Sequence, residues 1–127
     1  MLMNATAGSP GDVAVLLSHQ IENTGPLCAV TFWYNMKGTG VGKLQVFVTD
    51  ESGQVEAWSQ VGQSGDGWFK GGFFVGEKIH ANISFLATRG SNKYGDIALD
   101  DIHFSRYWEI LEFSVCMDTI TPPPSKL

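Results

Sequence analysis

Turn residues interrupt this chain at short, regular intervals, and that spacing leaves little room for any long helix. The interruptions are "GSPGD" (8–12), "ENTGP" (22–26), "KGTGVG" (37–42), "DESG" (50–53), "GQSGDG" (62–67), "GE" (76–77) and "RGSNKYG" (89–95). Glycine supplies positive φ, proline presets φ, and Asn, Asp and Ser close turns through their own side chains. Between them lie short runs rich in β-branched and aromatic residues, the composition of strands. These runs are 13–17, 27–36, 43–49, 54–61, 68–75, 78–88 and 96–104.

Several of the runs alternate with a period of two. Leu44, Val46 and Val48 alternate with Lys43, Gln45 and Thr49, and Val55, Ala57, Ser59 and Val61 share one face of the next run. In "KIHANISFLAT", Ile79, Ala81, Ile83, Phe85 and Ala87 fall on one face and His80, Asn82, Ser84 and Thr88 on the other. This predicts a half-buried antiparallel strand. Leu86 breaks the alternation and is expected to lie under a loop. The run 107–116 fits either a helix face (Tyr107, Leu111, Val115) or a strand (Leu111, Phe113, Val115), and strand is the preferred reading. Seven or eight short strands joined by turns predict an all-β fold, a two-sheet antiparallel β-sandwich.

The whole chain has 127 residues, enough for one domain with its own core. Apolar residues make up 43% and charged residues 17%, a globular balance. The net charge of −5 and the scattered basic residues argue against a nucleic-acid partner. No apolar run reaches the about 20 residues that span a bilayer. "MLMNATAGSPGD" has neither a basic nor a sustained apolar region, so it does not read as a signal peptide. Two sequons, Asn4-Ala5-Thr6 and Asn82-Ile83-Ser84, are glycosylation candidates, the second on the polar face of its strand. Three consecutive prolines in "MDTITPPPSKL" predict an extended C-terminal linker over 118–127.

Chemistry-bearing residues are sparse. "GDIALDDIHF" (95–104) sets Asp100 beside Asp101 within an apolar run. Neighbours on an extended strand point to opposite faces, which is poor geometry for a general acid/base pair. Either aspartate is a candidate calcium ligand, although calcium recruits six to eight oxygens and no further ligand cluster accompanies the pair. A turn cap or backbone acceptor is the simpler role. His19, His80 and His103 are isolated, with no metal-ligand spacing. "GQSGDGW" is not followed by a helix and reads as a loop. Trp33, Trp58, Trp68 and Trp108 are candidates for sugar stacking or core packing, with Trp58 and Trp68 flanked by turn residues that suit a rim.

The segments "NATAGSPGDVAVLLS", "PLCAVTFWYNMKGTGVGKLQVFV", "WSQVGQSGDGW", "FLATRG" and "GDIALDDIHFS", in this order, resemble a MAM domain, the extracellular module of meprins, neuropilins and receptor tyrosine phosphatases. The resemblance covers residues 3 to about 105 of a domain assigned to 1–117. It implies a jelly-roll β-sandwich in an extracellular or cell-surface protein, with protein partners, homophilic or heterophilic, and no catalysis. It also implies a Cys28–Cys116 disulfide, calcium in some members, and a strand-end, structural role for Asp100 and Asp101. Relative to the family, the chain lacks an N-terminal strand and two cysteines, which reads as a fragment with its signal peptide upstream. Such a fragment is expected to expose an unpaired strand edge and to self-associate. The alternative functions are a lectin-like carbohydrate-binding sandwich and a small glycosidase built on Asp100 or Asp101.

Overall fold

A computed structural model describes residues 2–4, 11–18, 20–22, 24–25, 28–91 and 95–106. These form nine strands: β1 (Leu2–Asn4), β2 (Val13–Leu17), β3 (Ile21–Glu22), β4 (Cys28–Lys37), β5 (Val41–Asp50), β6 (Gly53–Val61), β7 (Phe69–Phe74), β8 (His80–Arg89) and β9 (Asp96–Arg106). There is no helix among the described residues. The front sheet has the order β1-β9-β4-β7, and the back sheet the order β2-β8-β5-β6 with β3 also paired to β8. Every pairing is antiparallel. The fold is thus the expected jelly-roll-like β-sandwich. The strand β2 falls where the sequence places it, and six other strands match within two residues at each end. β1 and β3 are too short to leave a periodic signal.

The core lies between the sheets, and the period-two pattern explains who enters it. From β4 come Cys28, Val30, Phe32, Tyr34 and Met36; from β5 Leu44, Val46 and Val48; from β8 Ala81, Ile83, Phe85 and Ala87; from β9 Ile97 and Leu99. Phe32 is the hub. Trp58 (4.9 Å) and Phe85 (5.2 Å) meet its ring edge to face, and Tyr34 lies 6.0 Å away. Aromatic pairs prefer this T-shaped contact because a ring's positive edge meets its neighbour's negative face.

Two expectations about β8 need correction. Ile79 is not in the buried row; it is 65% exposed, in the bend before the strand starts at His80. The turn holds it out because both backbone groups of Lys78 bind Thr24, whose N–H donates to the Lys78 carbonyl and whose Oγ1 accepts from the Lys78 N–H. Leu86 is half-buried on the outer face, not under a loop. Its cover comes from its neighbours in the sheet, Val15 on β2 and Gln45 on β5.

Candidate functional site

Among the described residues, polar and aromatic surface groups lie on the outer faces of the two sheets and in a cleft. On the front sheet, β4 turns Thr31 and Trp33 toward the outer face between β7 and β9, where Trp33 is exposed and Thr31 is buried. Trp33 stands opposite Lys70 on one side and Asp100 on the other, and Thr31 stands between Gly72 and His103. Trp33 is 37% exposed, and the Lys70 ammonium lies 6.0 Å from its ring centroid. That is the outer limit for a cation–π contact.

The aspartate pair lies on this same face, and its geometry departs from the expected alternation. The β4–β9 register shifts between Thr31 and Trp33, and Asp101 has φ 52°. A bulge of this kind places an extra residue in one strand and redirects its side chain. Asp100 and Asp101 are consequently both exposed instead of facing opposite sides of the sheet. The Asp101 N–H donates to Asp100 Oδ1 (2.8 Å), and His103 Nε2 meets Asp101 Oδ1 at 3.0 Å. Aspartate suits the left-handed position because its short polar side chain tolerates it. The pair therefore sits inside β9, which runs on to Arg106, and not at a strand end. Among the described residues, no three His, Cys, Asp or Glu side chains gather as a metal-ligand set.

A cleft of about 350 Å³ opens between the sandwich edges. Val48, Val55, Ala57, Phe73 and Val75 form its apolar wall, and Asp50 and Lys78 its polar end. Lys78 Nζ lies 2.9 Å from Asp50 Oδ2, and the Ser52 N–H and hydroxyl both donate to Asp50 Oδ1 at 2.8 Å. The hydrogen bond from Lys78, and after it those from Ser52, lower the Asp50 pKa to about 2. Sequence reasoning missed this pair. "DESG" signals the Asp–Ser turn, but nothing local points to a lysine so far along the chain. Neither Asp100 nor Asp101 lines the cleft.

The remaining sequence candidates are dispersed. Asn82 is half-buried on the outer face of the back sheet, opposite Thr49. Asn4 lies in β1, paired with Asp96. His80 is beside Glu22 at 3.9 Å, far in the chain from His103, while His19 lies outside the described residues. Trp58 is committed to the core, in edge-to-face contact with Phe32 and Tyr34, and Trp68 is 46% exposed. "GQSGDGW" is a loop pinned to the end of β4: the Ser64 N–H donates to the Met36 carbonyl, and the Met36 N–H donates to Ser64 Oγ. Cys28 is buried at the start of β4. Cys116, Trp108, the run 107–116 and the proline-rich tail lie outside the described residues.

Two antiparallel sheets in jelly-roll order, with surface groups spread over faces and an edge cleft, define a β-sandwich module. Its family follows from comparison: the family model "MAM domain, meprin/A5/mu" matches residues 1–107, and the chain belongs to that family. It is 32% identical over 108 residues to Thyroid hormone-induced protein B of Xenopus laevis, covering 82% of this chain and 16% of that protein. Against human Neuropilin-1 it is 29% identical, covering 81% of this chain and 12% of that protein. With human MAM domain-containing protein 2 it shares 31% identity over 74% of this chain and 14% of the relative. The chain thus spans about a sixth or less of the length of these relatives. Among solved structures, TmCBM61 in complex with beta-1,4-galactotriose superposes with a TM-score of 0.52 at 16% identity, over 76% of this chain and 66% of that one. At that identity the likeness concerns the fold.

Proposed function

We propose that this chain is a non-catalytic, extracellular protein-interaction module of a larger cell-surface or secreted protein. The observation that carries the reading is the match to the MAM family over residues 1–107. The short share of each relative's length supports a module within a longer chain. The surface is consistent with it. Asp100 and Asp101, on which the glycosidase alternative depends, are engaged in a β-bulge, Asp101 to His103 and Asp100 to the Asp101 N–H. A Cys28–Cys116 disulfide and glycans at Asn4 and Asn82 belong to the same proposal, since the disulfide persists in an oxidising compartment and the glycans are a modification of secreted proteins.

The test is to secrete the 127-residue chain with a tag and measure its binding to intact cells. Saturable binding that protease treatment of the cells abolishes supports the reading. Binding abolished by glycosidase treatment and retained after protease would overturn it in favour of carbohydrate recognition. The exposure of Trp33 and Trp68 is what favours that second reading, since exposed indole rings stack sugars. Loss of glycan binding on Trp33→Ala or Trp68→Ala, with folding intact, would establish it.

A further inference from the structure

We infer that the outer face of the front sheet is a docking site for an arginine side chain of a partner protein, its guanidinium stacked on Trp33 and forked onto Asp100. Trp33 is 37% exposed in the middle of β4, and the β4–β9 register sets Asp100 across from it on the same face. Cross-strand partners stand about 5 Å apart at Cβ, close enough for one planar group to touch both. Lys70, opposite Trp33 on the β7 side, already brings an ammonium to 6.0 Å from the ring centroid. The indole is thus a surface that meets a cation, here at the outer limit of range. Tryptophan and arginine are also the residue types on which interface energy concentrates.

The bulge in β9 supplies the other half of the site. On a regular strand one of two neighbouring aspartates would face the core, whereas the register shift beside Trp33 leaves both exposed. Among the described residues, Asp101 is the non-glycine residue with a positive φ. Such conformations persist where their surroundings enforce them, and they cluster at ligand clamps. Here the Asp101 N–H holds Asp100 Oδ1 at 2.8 Å, which fixes the carboxylate and leaves Oδ2 without a donor among the described residues. Asp101 adds a second carboxylate, steadied by His103 at 3.0 Å. An indole beside two carboxylates favours a cation over a neutral sugar, which would stack on the ring and gain little from the charge. Arginine suits it better than lysine. A planar guanidinium stacks on a ring and offers paired N–H groups to one carboxylate, while an ammonium is a strongly hydrated point charge. The net charge of −5 adds a long-range pull on a basic partner.

The inference rests on the reading of the chain as a protein-interaction module and names the chemistry of its partner. It is tested by selecting random phage-displayed peptides against the secreted 127-residue chain, after depletion on the Trp33→Ala variant. Should that variant fail to fold, Asp100→Asn, which keeps the side chain's shape, serves for the depletion. The surviving peptides are expected to share an arginine. Synthetic copies should bind about tenfold more weakly once that arginine is replaced by lysine, and about tenfold more weakly to Asp100→Asn. Trp33→Phe, which keeps an aromatic face, should retain part of the binding that Trp33→Ala loses. Val61→Ser, a change at a 72% exposed position on the back sheet, should leave it intact. Added salt should weaken the complex. Survivors that lack arginine, that tolerate lysine, or that bind Asp100→Asn as they bind wild type would overturn the inference. An empty selection would overturn it too, as would glycan binding lost on Trp33→Ala. Any of these outcomes beside saturable, protease-sensitive binding to cells would remove the arginine site and leave the module reading intact. Absence of both kinds of binding would refute both.

Discussion

The ring of Phe32 fills the space into which a side chain at Gly71 would grow. A Cβ at Gly71 would lie 2.7 Å from Phe32 Cζ and 3.1 Å from Trp58 Cε2. Phe32 cannot easily yield, because Trp58 and Phe85 hold its ring edge to face. Gly71→Ala should therefore destabilise the sandwich by about 1–3 kcal/mol through overpacking. Trp58→Ala should cost about 3–5 kcal/mol by opening a cavity in the same cluster. Denaturant unfolding of both variants checks this, and a Trp58→Ala protein as stable as wild type would remove Trp58 from the core.

The bulge at Asp101 makes a prediction by residue type. A left-handed φ costs an ordinary L-residue about 1–2 kcal/mol, and Asn and Asp bear it best. Asp101→Asn should remain close to wild type in stability, whereas Asp101→Val should lose about 2 kcal/mol because branching at Cβ suits this conformation poorly. Equal losses for the two variants would assign the effect to the His103 contact and not to the backbone.

Asp50 predicts a pH dependence. Its folded pKa, about 2, lies below the ordinary carboxylate value of 3.8. The unfolded chain therefore binds the proton more readily, and the stabilisation is fully present above about pH 4. It is lost as pH falls through the folded value near 2. The stability difference between wild type and Asp50→Asn should be constant from neutral pH to about pH 5 and should shrink between pH 4 and pH 2. A difference that grows with acidification would contradict the Asp50–Lys78 assignment.

The proposed Cys28–Cys116 disulfide closes a loop spanning most of the domain. In the chain-entropy model a loop of that size stabilises the folded state by about 4–5 kcal/mol. Non-reducing peptide mapping of secreted material should recover the two cysteine peptides joined, and reduction should lower Tm. Recovery of both thiols free would refute the pairing.

The long strands were readable because each buries one face, so β5 and β8 show the alternation that burial imposes. Residues whose placement depends on a partner strand were not. Leu86 breaks the alternation and is covered by β2 and β5 beside it, and the period of two extends the buried row to Ile79 because alternation alone cannot say where a strand starts. The aspartate pair misled for a related reason: two adjacent residues face opposite ways only on a regular strand, and the left-handed turn at Asp101 is forced by the register against β4. The Asp50–Lys78 pair and the Trp33–Lys70 contact join residues far apart in the chain, and no local pattern announces them. The resemblance to the MAM family was readable from "TFWYNMKG" and "GDIALDDI" because those stretches contribute the central strand β4 and its bulged neighbour β9.

The most direct test of the central claim is a parallel binding measurement of the secreted chain on an array of extracellular protein domains, itself included, and on a glycan array. The account predicts saturable binding to at least one protein domain, none to glycans, and no hydrolysis of any glycan presented. Glycan binding or hydrolysis without any protein binding would contradict it.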